Sequence, residues 1–397
     1  MSKSPEKKVI PFGPYHPVLE EGELFELTVR GEVVEEIYWK TGYNHRSIET
    51  IAETKTYDQI CFLVERICGI CSHSHPYGFV RAVEDLAEVE IPERAVYIRT
   101  IVAELERLHS HLLWMGLAGH FIGYNTVFMW GWKYREPVLD ILEEVTGNRQ
   151  HYATLKIGGV RRDLEESKYE KILDMLDDVE EKCRMLLEAV PEDPVLKSRL
   201  QGVGVLTEQE ARDWGTLGPT ARGSGYDIDV RRDHPHAAYD WVDWDVCVEE
   251  SGDVYAKTMV RLRENMESIK IIRQCIDQMV PGPIENEVRE IPPGEGIGTY
   301  GAPRGETFHY VASDGTNSPI RHKVRAPSFN NVPSFEASCI GEEIADVLLT
   351  LAAVDPCYSC TERSLKLTPT SSDERLLTPR QLLEASRNKT KELIDQC

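Results

Sequence analysis

Arg66-Ile67-Cys68-Gly69-Ile70-Cys71-Ser72-His73-Ser74-His75 and Asp355-Pro356-Cys357-Tyr358-Ser359-Cys360-Thr361-Glu362-Arg363 are the two stretches around which the sequence is organised. Each carries a C-x-x-C pair beside side chains of the kind a metal site uses, and most of the 397 residues lie between them. If the pairs meet in space, the fold brings the two ends of the chain to one four-thiolate site. Spacing alone leaves four chemistries open: structural zinc, an iron–sulfur cluster, a thioredoxin-type dithiol and a catalytic transition metal held by soft thiolates. Zinc sites usually keep their ligands within one small domain, and neither pair sits in an obvious βαβ unit. The flanks favour the catalytic option. Structural zinc has no need of Arg66, His75 and Asp355, or of Arg304 in Ala302-Pro303-Arg304-Gly305, whereas a reacting site needs groups that orient ligands, stabilise anions and move protons.

Bulk properties narrow the partners. A formal net charge of −22 argues against nucleic acid and anionic lipid as direct partners. No apolar run approaches the length of a membrane span; the best, Val347 to Val354, is interrupted by Thr350. The first residues lack the apolar stretch of a secretory signal, so the expectation is a soluble, cytoplasmic chain in a reducing compartment. Ten cysteines in that setting mean metal or redox chemistry for the C-x-x-C pairs. The remaining six (Cys61, Cys183, Cys247, Cys275, Cys339 and Cys397) are expected to be small core residues.

Working outward from the cysteines, periodicity predicts a mainly α fold with small antiparallel β pieces: an α+β chain built on a core bundle of long helices. Leu24 to Trp39 alternates around Arg30-Gly31-Glu32, a hairpin signature, after the proline-punctuated opening Val9 to Pro17. Helices are predicted over Tyr57–Arg66, Tyr77–Leu86, Pro92 to about Gly116, Phe121–Val145, Glu165–Ala189, Val254–Met279 and Glu342–Leu351, with a short one at Pro379–Ile394. Gly218 to Arg232, rich in glycine and charge, reads as an ordered loop and not a phosphate loop. Pro281 to Gly298 reads as a linker, and Gly301 to Ala326 as a loop feeding a hairpin turned at Asp314-Gly315. The implied division is 1–50 as an N-terminal α+β module, 51–363 as a helical catalytic core with a β-hairpin near 300–326, and 364–397 as a tail.

At this point the sequence resembles a family. Arg66 to His75 with Asp355 to Arg363 looks like the paired signature of nickel–iron hydrogenase large subunits. Pro11 to Pro17, Gly42-Tyr43-Asn44-His45-Arg46, Gly218 to Gly225 and His309 to Gly315 are similar to the homologous quinone-site subunit of respiratory complex I. A chain carrying both sets resembles the energy-converting, membrane-bound hydrogenases of group 4, over about residues 9–363. The resemblance implies a hydrogenase large-subunit or complex I-like fold and a nickel–iron centre with carbon monoxide and cyanide on the iron. Cys68 and Cys357 would be terminal nickel ligands, and Cys71 and Cys360 would bridge.

The resemblance also implies roles around the metals. Dihydrogen would be split heterolytically, the proton passing to the Cys357 thiolate and then to Glu21, with Glu20 as the fallback. Arg304 would lie beside the cyanide ligands, Asp355 would hold the second cysteine loop or pair with Arg304, and His75 would hydrogen-bond a bridging thiolate. Arg66 would flank the cofactor. His16, His45 and Arg46 would line a proton route or order the loops around Glu21, while His109 and His111 are read as core histidines. No cysteine cluster is left for an iron–sulfur relay, so the implied partners are a small iron–sulfur subunit, ferredoxin-type electron carriers and membrane subunits that move ions. The chain itself would be peripheral on the cytoplasmic face of the membrane. A nickel-free complex I-like or sulfane-reductase-type redox subunit is the alternative.

Overall fold

A computed structural model of the chain describes residues 6–16, 19, 21–362 and 379–394. The fold is mainly helical, with small antiparallel sheets set around a bundle of long helices. The central helix, Glu93–Phe121, starts after Pro92, whose missing N–H costs nothing at a helix start. It is buried on nearly every side, so its apolar residues form no single stripe. Tyr169–Glu192 is the opposite case: Ile172, Leu176, Val179, Cys183, Leu186 and Val190 recur every three or four residues and are buried, while the remaining face is charged. Asn125–Thr146 packs on the central helix at glycines. A Cβ added to Gly131 would lie 2.5 Å from the Cα of Gly116, so the two backbones touch where side chains would hold them apart. Val254–Asp277 completes the bundle, its first turn capped by Asp253, which accepts from the Ala256 N–H at 2.8 Å.

Two three-stranded sheets flank the bundle. Lys7–Phe12, Leu24–Arg30 and Val33–Lys40 form an antiparallel meander in that order, with Gly31 at φ 65° supplying the left-handed position of the hairpin turn. Its apolar face does not close on itself. Phe12, Phe25, Leu27, Val29 and Val34 share one core with Val332, Phe335, Val347, Leu351, Val354 and Tyr358, so the first strands are the platform on which the C-terminal arm rests. Phe25 meets Phe335 and Tyr358 edge-on, at ring-centroid distances of 5.9 and 6.2 Å.

The second sheet corrects a sequence-based expectation. Gly305–Asp314 pairs with Arg321–Arg325 across the expected turn, but it also pairs along its whole length with Pro293–Ala302, most of which reads as linker in the sequence. The glycines are there for packing and not for a bend. A Cβ on Gly296 would sit 2.0 Å from the Ala82 carbonyl oxygen, and one on Gly298 the same distance from that of Gly78. The strand therefore lies directly on the helix Ser74–Leu86, which only side-chain-free positions allow. Likewise Gly218 to Arg232 is not all loop; it contains the short helix Gly218–Arg222 and most of Val230–Asp233. Among the described residues, no helix is long and apolar enough to cross a membrane.

Candidate metal centre

Cys68 and Cys71 occupy the turn between the helices Tyr57–Glu65 and Ser74–Leu86. The Ser72 hydroxyl donates to the Gly69 carbonyl at 2.5 Å. The N–H groups of His73 and Ser74 and the Ser74 hydroxyl all donate to the carboxylate of Glu106 on the central helix. Glu106 thus satisfies the start of a helix that has no cap of its own. Burial pushes its carboxyl up to about 8, although these donors pull the other way.

Cys357 is the N-cap of the single-turn helix Tyr358–Thr361, which contains Cys360. Its N–H donates to the Ser328 hydroxyl at 3.0 Å. Asp355 precedes this turn at φ 57°, a left-handed conformation that aspartate tolerates better than most residues. The two arms meet. The sulfurs of Cys68, Cys71 and Cys360 lie within 4.8 Å of one another. Cys357 Sγ is 3.3 Å from Cys68 Sγ and 2.7 Å from Cys360 Sγ. All four cysteines are buried free thiols.

Such a cluster cannot ionise fully on its own. Hydrogen bonds from Cys357 first, then from Cys360 and Cys71, favour the Cys68 thiolate. The same contacts hold Cys357 up, and burial holds Cys360 up. Soft, buried, charge-deficient donors converging on one point fit a transition-metal ion, whose charge would release the remaining protons.

Arg304 is the positive group of the site. It sits in the tight turn between Pro293–Ala302 and Gly305–Asp314. Its Nε donates to Asp355 Oδ1 at 2.9 Å and to the Asp355 carbonyl at 3.2 Å. Its Nη1 donates to Ser110 Oγ at 3.2 Å and lies 3.9 Å from Cys71 Sγ. Burial works against its charge, but Asp355 and the cysteines outweigh burial and keep it protonated. Glu21 approaches from the connection between the first two strands: its Oε2 accepts from the Ser359 N–H, between Cys357 and Cys360, at 2.6 Å. Burial, and then the charge on Cys68, raises its pKa above the ordinary carboxylate range.

Not every expected residue joins this group. The Arg66 guanidinium is half-exposed, bonded to Glu65 at 2.5 Å and to the Phe62 carbonyl at 3.0 Å, because it ends a surface helix and turns back along it. His75 pairs through Nδ1 with His309 Nε2 at 3.2 Å, and His309 Nδ1 with His322 Nε2 at 3.0 Å, a buried row of three imidazoles. Burial, then neighbouring His75, pushes His322 down to about 3. The His16 ring meets that of Phe12 at a tilt of 53°, with centroids 4.1 Å apart. His109 and His111 are core histidines, the former accepting from Arg135 Nε at 3.4 Å and the latter 3.0 Å from Glu264. Cys61, Cys183, Cys247, Cys275 and Cys339 are buried, as small core residues should be. Glu20, Arg363 and Cys397 lie outside the described residues.

Several residues at the site were not singled out from sequence. Glu106 and Ser110 are among them, and so is a buried ionic network. Arg231 bonds Asp229 and Glu264, each at 2.7 Å, and Glu104 at 3.4 Å. Arg107 pairs with Glu104 and also donates to the Gly301 carbonyl at 2.5 Å, fixing the strand that leads to Arg304. A signal was present: Arg94, Arg99, Glu104, Glu106, Arg107 and His109 are spread around the whole circumference of the helix, so no single solvent face can take them all.

Comparison with known proteins places this geometry. The family profile described as "Respiratory-chain NADH dehydrogenase, 49 Kd subunit" matches residues 122–293 and 286–363, and "Nickel-dependent hydrogenase" matches residues 46–117. The chain is 42% identical to membrane-bound hydrogenase subunit alpha of Pyrococcus furiosus, covering 97% of this chain and 93% of that one. It is 38% identical to the carbon monoxide-induced hydrogenase of Rhodospirillum rubrum, over 89% of this chain and 99% of the relative. Similarity at 38% identity extends to one subunit of the F(420)H(2) dehydrogenase of Methanosarcina mazei, over 89% and 97%. The solved structure of the membrane-bound sulfane sulfur reductase, an archaeal respiratory membrane complex, superposes with a TM-score of 0.86 at 30% identity, covering 90% of this chain and 99% of that chain. Fold, site and relatives together define an oxidoreductase of the hydrogenase and complex I class. The chain belongs to the family that joins nickel-dependent hydrogenase large subunits to the 49 kDa subunit of respiratory NADH dehydrogenase.

Proposed function

We propose that this chain is the catalytic large subunit of an energy-converting nickel–iron hydrogenase, forming or cleaving dihydrogen. The observation that carries the reading is the convergence of four buried cysteine sulfurs from the two ends of the chain, with Arg304 beside them. Cys68, Cys71, Cys357 and Cys360 would hold a nickel–iron pair, with carbon monoxide and cyanide on the iron and no iron–sulfur cluster in this chain. When bound, that pair supplies the redox chemistry for heterolytic cleavage of dihydrogen. The chain's own residues do the rest. Arg304, fixed by Asp355 and Ser110, presents a planar donor edge to an anionic ligand beside Cys71. The Cys357 sulfur exchanges the proton with Glu21, whose bond to the Ser359 N–H keeps the carboxyl against the arm between the two cysteines.

Electrons would pass to a small iron–sulfur subunit and ferredoxin-type carriers, and the reaction would be coupled to ion movement by membrane subunits, with this chain peripheral on the cytoplasmic face. A second reading, a nickel-free redox subunit, is favoured by the match to the sulfane sulfur reductase complex. Metal analysis of the anaerobically purified complex separates the two. The hydrogenase reading expects stoichiometric nickel and iron, infrared bands from carbon monoxide and cyanide, and hydrogen-dependent dye reduction. Absence of nickel and of those bands would overturn it.

A further inference from the structure

The loop Gly42-Tyr43-Asn44-His45-Arg46 touches both cysteine arms and the Glu21 segment, though it contributes nothing to the sulfur cluster itself. On one side it grips the C-terminal arm two residues after Cys360. The N–H groups of Gly42, Tyr43 and Asn44 all donate to the Glu362 carboxylate, the first two at 2.5 and 3.1 Å. His45 Nδ1 lies 3.0 Å from the Glu362 carbonyl oxygen. Three consecutive backbone donors around one carboxylate form an anion nest, and Gly42 at φ 122° supplies the backbone shape that glycine adopts most readily. On the other side, Arg46 forks onto two successive carbonyls just before Cys68: Nη1 to Arg66 O at 2.7 Å and Nη2 to Ile67 O at 2.6 Å. A third tie runs from Asn44 Nδ2 to Gly22 O at 2.8 Å, next to Glu21.

We infer that Gly42–Arg46 with Glu362 is a positioning strap, setting the separation of the two cysteine arms, and of Glu21 from them, so that the four sulfurs converge. The inference deepens the metal-site reading proposed above and rests on it. The arms belong to opposite ends of the chain, so neither can fix the other's distance. Groups that orient ligands without touching the metal typically change metal affinity by roughly tenfold to a hundredfold when altered. Arg46 and Glu362 are placed for that effect. Lysine cannot span two carbonyls as the guanidinium fork does. Glutamine at 362 would aim an NH2 group at backbone N–H donors.

The test is cobalt(II) binding to the full-length, metal-stripped chain under anaerobic conditions, followed by the thiolate-to-cobalt charge-transfer absorption. Wild type should bind one cobalt with a multi-thiolate spectrum that C68S abolishes. E362Q and R46K should each bind about tenfold or more weakly and with altered charge-transfer intensity, while the metal-free variants melt with wild type. Wild-type affinity and spectrum in both variants would overturn the proposal. So would a loss of affinity matched by an equal loss of metal-free stability, which would make the strap merely structural. A wild-type chain that takes up no cobalt would overturn the four-thiolate reading, and the strap with it.

Discussion

At the residue scale, two glutamates between the first two strands make different predictions from different surroundings. Glu21 is anchored at Ser359, and burial, then the charge on Cys68, raises its pKa, which favours a carboxyl that can hold a proton beside the cysteines. Glutamine can keep the Ser359 bond through its carbonyl oxygen but cannot carry the proton. E21Q is therefore expected to lower hydrogen turnover by on the order of 10²–10⁴ at unchanged nickel content; full turnover would remove Glu21 from the relay. Glu23 is fully buried, and its carboxyl faces that of Glu362. Burial, then the charge of Glu362, pushes its carboxyl from 4.5 up to about 9. The unfolded chain releases that proton near 4.5 while the folded chain keeps it, so this residue's contribution to stability declines as pH rises through that window. E23Q removes the decline: it should melt roughly five degrees above wild type near pH 8 and level with it near pH 4.5. Parallel melting curves across pH would refute this. Glu21 and Glu362 differ in how legible they are. Glu21 came from resemblance, since one acid among 67 Asp and Glu carries no local signal. Glu362 escaped because its partners are backbone N–H groups, which leave no side-chain pattern to read.

At the element scale, the reach of Arg304 is decisive. The turn between two strands delivers it to Asp355 on the C-terminal arm, Ser110 on the central helix and Cys71 on the first cysteine turn. Four elements thus meet on one guanidinium. Removing one member of a buried ion pair leaves the other charge uncompensated, at a cost of about 3–5 kcal/mol. R304M should lose that amount in urea unfolding, and R304M/D355N should recover much of it. Equal losses in the single and double variants would mean that the pair is not what couples the elements. The turn itself was hard to read because the strand before it looks like a linker. Pro293, Gly294, Gly296 and Gly298 are turn-formers by composition. Only the contact with the helix Ser74–Leu86 gives them a packing role, and that contact joins segments far apart in sequence. Long helices fared better because their period is local: Val254–Asp277 and Ile344–Ala353 fall close to the predicted bounds.

At the scale of the whole molecule, the site exists only if the entire chain has folded. The C-terminal arm bridges two cores: Cys357 and Cys360 join Cys68 and Cys71 in the layer of the second sheet, while Tyr358, between them, is packed into the core of the first. The sequence made the meeting of the arms legible as chemistry, through four soft ligands and their flanks, but not as structure, because nothing local records that residues 7–40 are the platform under residues 332–358. This arrangement couples metal binding to global stability. An ion that binds the folded chain and not the unfolded one stabilises it by RT ln(1 + [L]/Kd), about 4 kcal/mol at a thousandfold excess over Kd. For a chain of 397 residues that corresponds to a rise in melting temperature of about 5 °C. Adding the ion to metal-stripped wild type should therefore raise one cooperative transition by about that much, and C357S or C360S should show little or no shift. A shift confined to a separate minor transition, with the main one unmoved, would mean that the C-terminal arm closes over the site independently of the bundle, and that the two ends of the chain do not report on a single folded unit.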